Sequence, residues 1–270
     1  MAPIIELDSP TSEAVDGRHI RALTFQDVRL EYLTSTLRGL GIDAAGRDAL
    51  VIGSGRGVLA RGLAELGFHV VALDPSPKAT ALARQASEDE AVETGGTVET
   101  GGGVEGGGAV EYATAPAEDP GLAGSSFDVV FCTDTFEITD DLDGVLAHAA
   151  RLLRPDGVLF YDTVNRTPVS RLIYLGAFQT LPFTRIMPRH RYAAARLRTP
   201  GEVEAALAAN GLRHEGVCSF KPESVLGLVR AVIARRSGKI TDAAIPAMTG
   251  FVLEPDGKPV VTYLGHARRP

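Results

Sequence analysis

The stretch "ALVIGSGRGVLARGLAELGFHVVALDPSPKATALA", residues 49–83, decides the fold. An apolar run leads into Gly53, Gly55 and Gly57 at alternate positions, and a second run, Val70 to Leu73, ends on Asp74. The first run reads as a buried strand, a tight turn and a helix, and the second as a strand that delivers an acid at its end. Together they make half of a nucleotide-binding fold. The glycines let a ligand approach the backbone. Asp74, twenty-one residues after Gly53, is placed to accept hydrogen bonds from both hydroxyls of a ribose.

The rest of the chain gives this half-fold its setting. With 270 residues, 44% hydrophobic and 23% charged, the chain can build one substantial core and is expected to form a single globular domain. The opening "MAPIIELDSPTSEAVDG" is acidic and lacks a basic segment followed by an apolar one, and no later run approaches spanning length, so neither export nor a membrane anchor is expected. Cys132 and Cys218 are the only cysteines. Two are too few for a disulfide framework or a multi-thiolate metal site, which suits a reducing cytosol and a cytoplasmic location. A formal net charge of −7 argues against general nucleic-acid binding.

Along the chain, residues 18–40 read as one or two helices with an apolar face of Leu23, Val28, Leu30, Tyr32, Leu33 and Leu37, part of a helical cap over about 15–47. After Asp74, "PSPKATALARQAS" reads as a second crossover helix. Residues 88–108 hold six acids and eight glycines with few large apolar side chains, a composition expected to form a flexible insertion. A third strand begins at "VEYATAPAED", and "FDVVFCTDTF" is a fourth, with Thr133 and Asp134 at its end. "DLDGVLAHAARLLRPDG" is an amphipathic helix and turn before the strand "VLFYDTVN"; another helix covers 200–212, and "RHEGVCSF" and "KPVVTYLGHAR" are two final strands. Strands alternating with helices imply a mostly parallel sheet covered on both faces, with the ligand at the C-terminal ends of the strands.

NAD and S-adenosylmethionine both carry the ribose that Asp74 would hold. The dehydrogenase fingerprint wants a small residue where this chain has Val58, and no second half with a nicotinamide subsite is visible, so NAD is the weaker reading. The order of Gly-x-Gly-x-Gly, an acid after strand two, Ala-Glu-Asp after strand three, Phe-Asp-Val-Val, and Leu-Leu-Arg-Pro-Asp-Gly before strand five resembles class I S-adenosylmethionine-dependent methyltransferases. Within that class "VRLEYL", "LLRPDGVLFYDTVNRTPVSRLIYLGA", "LRTPGEVEAAL" and "VTYLGHARRP" are most similar to the O-methyltransferases of ubiquinone biosynthesis.

The resemblance implies an α/β Rossmann-like sheet of seven strands, the last antiparallel, with a helical lid inserted after strand five over about 166–198. It implies S-adenosyl-L-methionine as cofactor, with Arg29 reaching the methionine carboxylate, Gly53 and Gly55 passing under the methionine part, and Asp74 with Pro75 at the ribose. Ala117 and Glu118 would flank the adenine and Thr133 would line the pocket. This chain departs from the pattern at Val51, where the family usually has an acid, at Ile138 in place of a histidine, and at Tyr192, where a second histidine would align.

The expected reaction is methyl transfer to an oxygen of a small aromatic or lipophilic acceptor, with carbon or nitrogen transfer, or cofactor binding without transfer, as alternatives. His190, with an ordinary pKa of about 6.5, is the candidate base. Asp134 is a second catalytic candidate, and it or Glu137 would position the acceptor or cap the next helix. No histidine and carboxylate spacing points to a metal site, so none is expected. Residues 165–198 carry seven arginines and no acid; this lid is expected to set acceptor choice, and two readings stand for its arginines: contact with a membrane surface, as the resemblance allows, or solvation around a lid packed by its own Leu, Ile and Phe residues.

Overall fold

The computed structural model describes residues 3–93 and 109–270. Helix α1 (Gly17–Gly39) precedes β1 (Asp48–Ile52), α2 (Val58–Glu65), β2 (His69–Asp74), α3 (Pro77–Glu93) and β3 (Val110–Thr114). Then come β4 (Phe127–Cys132), α4 (Leu142–Leu152), β5 (Leu153–Val164), α5 (Pro168–Ser170), α6 (Pro200–Ala209), β6 (Arg213–Pro222), α7 (Val225–Arg236), β7 (Phe251–Glu254) and β8 (Thr262–Arg268).

The strands form one sheet in the order β3-β2-β1-β4-β5-β8-β6-β7. The five strands from β3 to β5 are parallel, whereas β8 runs antiparallel to β5 and β6, and β7 antiparallel to β6. The sheet therefore has eight strands, not the expected seven: the four residues of β7 extend its edge beyond β6. Helix α3 continues to Glu93, so residues 88–93 belong to a helix and not to the expected insertion; its remainder, 94–108, lies outside the described residues.

Both faces of the sheet are covered, so successive strand residues enter opposite cores. Ala49, Val51, Val129, Phe131 and Phe160 pack under α1 and α2 with Leu33, Leu59 and Leu63. Leu50, Ile52, Val130, Cys132 and Tyr161 pack on the other side with Val145, Leu146 and Val203 of α4 and α6. Val51, at the position where an acid was awaited, is fully buried in the first core.

Local chemistry sets the helix starts. Asp16 caps α1 by accepting from the His19 amide at 3.0 Å. Thr199 and Glu202 form a reciprocal capping box at α6, with Pro200 in the first turn. Helix α4 is capped by Asp141, which accepts from the Gly144 amide at 2.8 Å. Asp134 and Glu137 are therefore free of the capping role and serve elsewhere. Beyond α5 the segment expected to form the lid continues as a π-helical turn, Arg171–Ala177, and its Tyr174, Ile186, Met187 and Tyr192 join a third core with Val15 and Ile20. No helix among the described residues is long and apolar enough to cross a membrane.

Candidate active site

The glycine turn is built for close approach. Gly53, Gly55 and Gly57 have φ of +77°, +56° and +74°, in the left-handed region where a side chain is strained. A Cβ at Gly53 would lie 2.1 Å from the Thr133 carbonyl oxygen. The Gly53 and Ser54 amides donate to the Leu73 carbonyl at 2.9 and 3.0 Å, folding the turn against the end of β2. There the fully buried Asp74 accepts from the Gly55 amide and the Ser76 amide, both at 2.9 Å. This backbone cradle beside a buried carboxylate fits the ribose and methionine portions of S-adenosylmethionine.

A guanidinium already holds that carboxylate. Arg18, in the first turn of α1, pairs with Asp74 through both terminal nitrogens and donates to the Gly53 carbonyl at 3.0 Å. Its Nε lies 3.2 Å from Asp134. The space left between α1 and the glycine turn is about 20 Å³, little more than one water requires.

Deeper in, Arg21 contacts three carboxylates: Glu137, Asp134 at 2.8 Å and Asp162 at 2.7 Å. Arg29 also reaches Asp162, at 2.9 Å, and Arg191 of the lid closes on Asp134. Four arginines thus face Asp74, Asp134, Glu137 and Asp162, and a fifth acid, Asp8, lies 3.9 Å from Arg18. Burial alone would raise the Asp134 carboxyl, but Arg191, Arg21 and Arg18 overcome it and hold it down at about 2. Burial dominates at Glu137 and pushes its carboxyl up, with Arg21 opposing.

His19 lines the same cavity, and burial followed by the nearby Arg56 lowers its pKa to about 4. A histidine whose folded pKa lies below its unfolded value stabilises the fold above about pH 6.5 and loses that contribution as pH falls towards 4. The raised carboxyls of Asp8, Glu137 and Asp242 act in the opposite sense, so a paired comparison isolates the effect. Urea unfolding of wild type and His19→Gln from pH 7 to 4 should show the variant gaining about 1–3 kcal/mol relative to wild type; parallel curves would mean that His19 titrates normally.

Of the residues singled out in the sequence, Arg29, Gly53, Gly55, Thr133 and Asp134 line one small cavity, with Asp74 bonded into its wall. Thr133 donates from its hydroxyl to the Gly53 carbonyl at 2.9 Å. Pro75 is exposed just beyond Asp74. Ala117 and Glu118 lie after β3, outside this lining, where Glu118 accepts from the Thr139 hydroxyl at 2.6 Å. His190 is exposed, with φ of +67°, and lines neither this cavity nor the larger one described below.

The sequence reading missed Arg18, Arg21 and Asp162. One signal was present: Arg21 and Arg29 follow Arg18 by three and eleven residues, and all three share a helix face with the buried Phe25 and Tyr32. Arginines on an apolar face need buried acids.

A second cavity of about 420 Å³ lies between α1, the lid, α7 and the β6-β7 edge. Its walls include Ile20, Phe25, Tyr174, Met187, Leu228 and Phe251. Arg21 is common to the linings of both cavities.

Comparisons with known proteins bear on the fold and the family. The family model for a methyltransferase domain matches residues 50–161. The chain is 33% identical over 203 residues to the ubiquinone biosynthesis O-methyltransferase of Xanthomonas euvesicatoria pv. vesicatoria, covering 75% of each chain. It is 29% identical to the enzyme of that name from Rhizobium etli, over 70% of this chain and 71% of the other. The fold matches that of a magnesium protoporphyrin IX methyltransferase from Synechocystis PCC 6803 with bound SAH, at TM-score 0.56 and 16% identity, covering 95% of this chain and 85% of that one. A putative sarcosine dimethylglycine methyltransferase from Galdieria sulphuraria aligns at TM-score 0.57 and 14% identity, over 88% and 84%. The chain is an S-adenosylmethionine-dependent methyltransferase of class I, and belongs to the family of the ubiquinone biosynthesis O-methyltransferases.

Proposed function

We propose that this methyltransferase acts on an oxygen of a lipophilic, aromatic or alkyl-bearing small molecule whose apolar body occupies the 420 Å³ cavity. The observation that carries this reading is the meeting of that cavity with the cofactor side at Arg21. The bound cofactor supplies a methyl group already activated on a sulfonium. The residues around it then have to align the acceptor and exclude water. Phe25, Tyr174 and Phe251 offer flat apolar walls, and the lid supplies Ile173, Phe178 and Met187.

Asp134, held ionised by three guanidiniums, organises Arg18, Arg21 and Arg191 and is too weak a base to take a proton near neutrality. The exposed His190 lines neither cavity. Alignment is therefore the main catalytic device in this reading. Leu172, Phe183 and Val225, which are 70%, 79% and 69% exposed, form the apolar outer side of the lid and α7 and support contact with a lipid surface.

The test is methyl transfer to a panel of phenols with alkyl chains of increasing length, alongside amine and carbon acceptors. Longer-chain phenols should turn over best; transfer confined to amines or carbon would overturn the reading. Leu228, partly buried on the wall of the large cavity, takes no part in lining the small one at the glycine turn. Leu228→Trp should raise KM for long-chain phenols about tenfold or more, about 1.4 kcal/mol, with S-adenosylhomocysteine affinity unchanged. An unaltered KM would place the acceptor elsewhere.

A further inference from the structure

We propose that Arg18 makes the acidic tail of the cofactor obligatory, because its guanidinium occupies Asp74 until a ligand brings both a ribose for Asp74 and a carboxylate for Arg18. The inference rests on the cofactor reading of the site and assigns a specificity role to a residue that the family motifs leave aside.

Arg18 is 8% exposed and binds both oxygens of Asp74, the acceptors that two ribose hydroxyls need. The segment that covers this contact reaches Arg18 through Asp8, 3.9 Å away, and is itself anchored. Residues 3–16 run over the site as a strap, with Ile5 bridged to Val15. Arg56 of the glycine loop donates to the Ser9 carbonyl and to Asp16, both at 2.8 Å, and Arg235 of α7 donates to the Ser12 carbonyl at 3.0 Å. The guanidinium is thus built into place, and the 20 Å³ beside it cannot admit a nucleoside.

A ribose alone that displaced Arg18 would cost the buried cation its two-pronged partner, which is unfavourable. What remains is Asp134, 3.2 Å from its Nε but shared with Arg21 and Arg191, and Asp8 at the longer distance of 3.9 Å. A carboxylate arriving over the glycine turn changes the balance. Arg18 already donates to the Gly53 carbonyl, so it can turn from Asp74 to a ligand carboxylate without leaving that turn, forming a charge-assisted pair. One buried ion pair is exchanged for two ligand contacts. Nucleosides that carry the ribose without the acid obtain only half of the exchange.

Two probes separate these halves: S-adenosylhomocysteine, with the amino-acid tail, and 5′-methylthioadenosine, which keeps the adenosine and sulfur and lacks the carboxylate. Calorimetry on the full chain should show wild type strongly preferring S-adenosylhomocysteine. In Arg18→Gln, methylthioadenosine should bind about tenfold more tightly and the preference should shrink by about tenfold or more. Should Arg18→Gln fail to fold, Arg18→Lys serves: it keeps the cation and loses the two-pronged hold, so methylthioadenosine should again gain more than S-adenosylhomocysteine. Equal changes for both ligands, or weaker binding of both, would overturn the proposal and leave Arg29 as the carboxylate's partner. Unchanged S-adenosylhomocysteine affinity in Asp74→Asn would instead remove the ribose role of Asp74, a separate failure.

Discussion

Arg21→Met is expected to lower stability by about 3–5 kcal/mol, the usual cost of removing one partner of a buried charge pair. The loss should centre on Glu137. Asp162 keeps Arg29, and Asp134 keeps Arg18 and Arg191. Glu137, which is fully buried, is left with the Thr163 hydroxyl at 3.3 Å. Its folded pKa is already raised by burial, and losing Arg21 raises it further. A carboxyl of this kind contributes stability that is present below its unfolded pKa and lost as pH rises through its folded one, so the variant should recover on acidification to about pH 4–5. Urea unfolding at pH 7 and 4.5 measures the effect. Arg21→Met combined with Glu137→Gln should regain much of the loss, since the unpaired charge is gone. A single variant as stable as wild type at pH 7 would mean that Glu137 is already protonated beside Arg21.

The second large effect falls on cofactor binding. Asp74→Ala should weaken S-adenosylmethionine binding by about 1.5–3 kcal/mol, roughly tenfold to 150-fold, because the ribose hydroxyls lose a charged acceptor. The change also frees Arg18 from its clamp and strips the Gly55 and Ser76 amides of their acceptor. Measured affinity therefore combines the missing ribose hydrogen bonds with the release of a competing guanidinium, and circular dichroism should confirm that the fold persists. Unaltered affinity when Asp74→Ala is added to Arg18→Gln, where no guanidinium competes, would take Asp74 out of the site.

How much of this was legible can be argued from particular residues. The turn at Gly53 to Gly57 and the acid at Asp74 were readable because positive φ and close approach admit few residue types, and because strand, turn and helix follow one another in sequence. The strand β7 and helix α7 were missed. The residues of β7, Phe251 to Glu254, are all half-buried, too short a run for a clear period, and α7 leaves Val225, Leu226, Val229 and Ile233 exposed.

Backbone turns and hydrophobic periods are local, so the sequence by itself determined a parallel nucleotide-binding sheet with its glycine turn and terminal acid, and the resemblance its motifs carry gave the class of reaction. The charge cluster and the large apolar cavity came only from the tertiary structure. Arg18 meets Asp74 across 56 residues, and Arg21 meets Asp162 across 141. No spacing rule links such partners, because an arginine's burial is settled by which acids the folded chain brings within reach. The cavity has the same origin: α1, the lid, α7 and the sheet edge each supply one wall, and none encloses a volume alone.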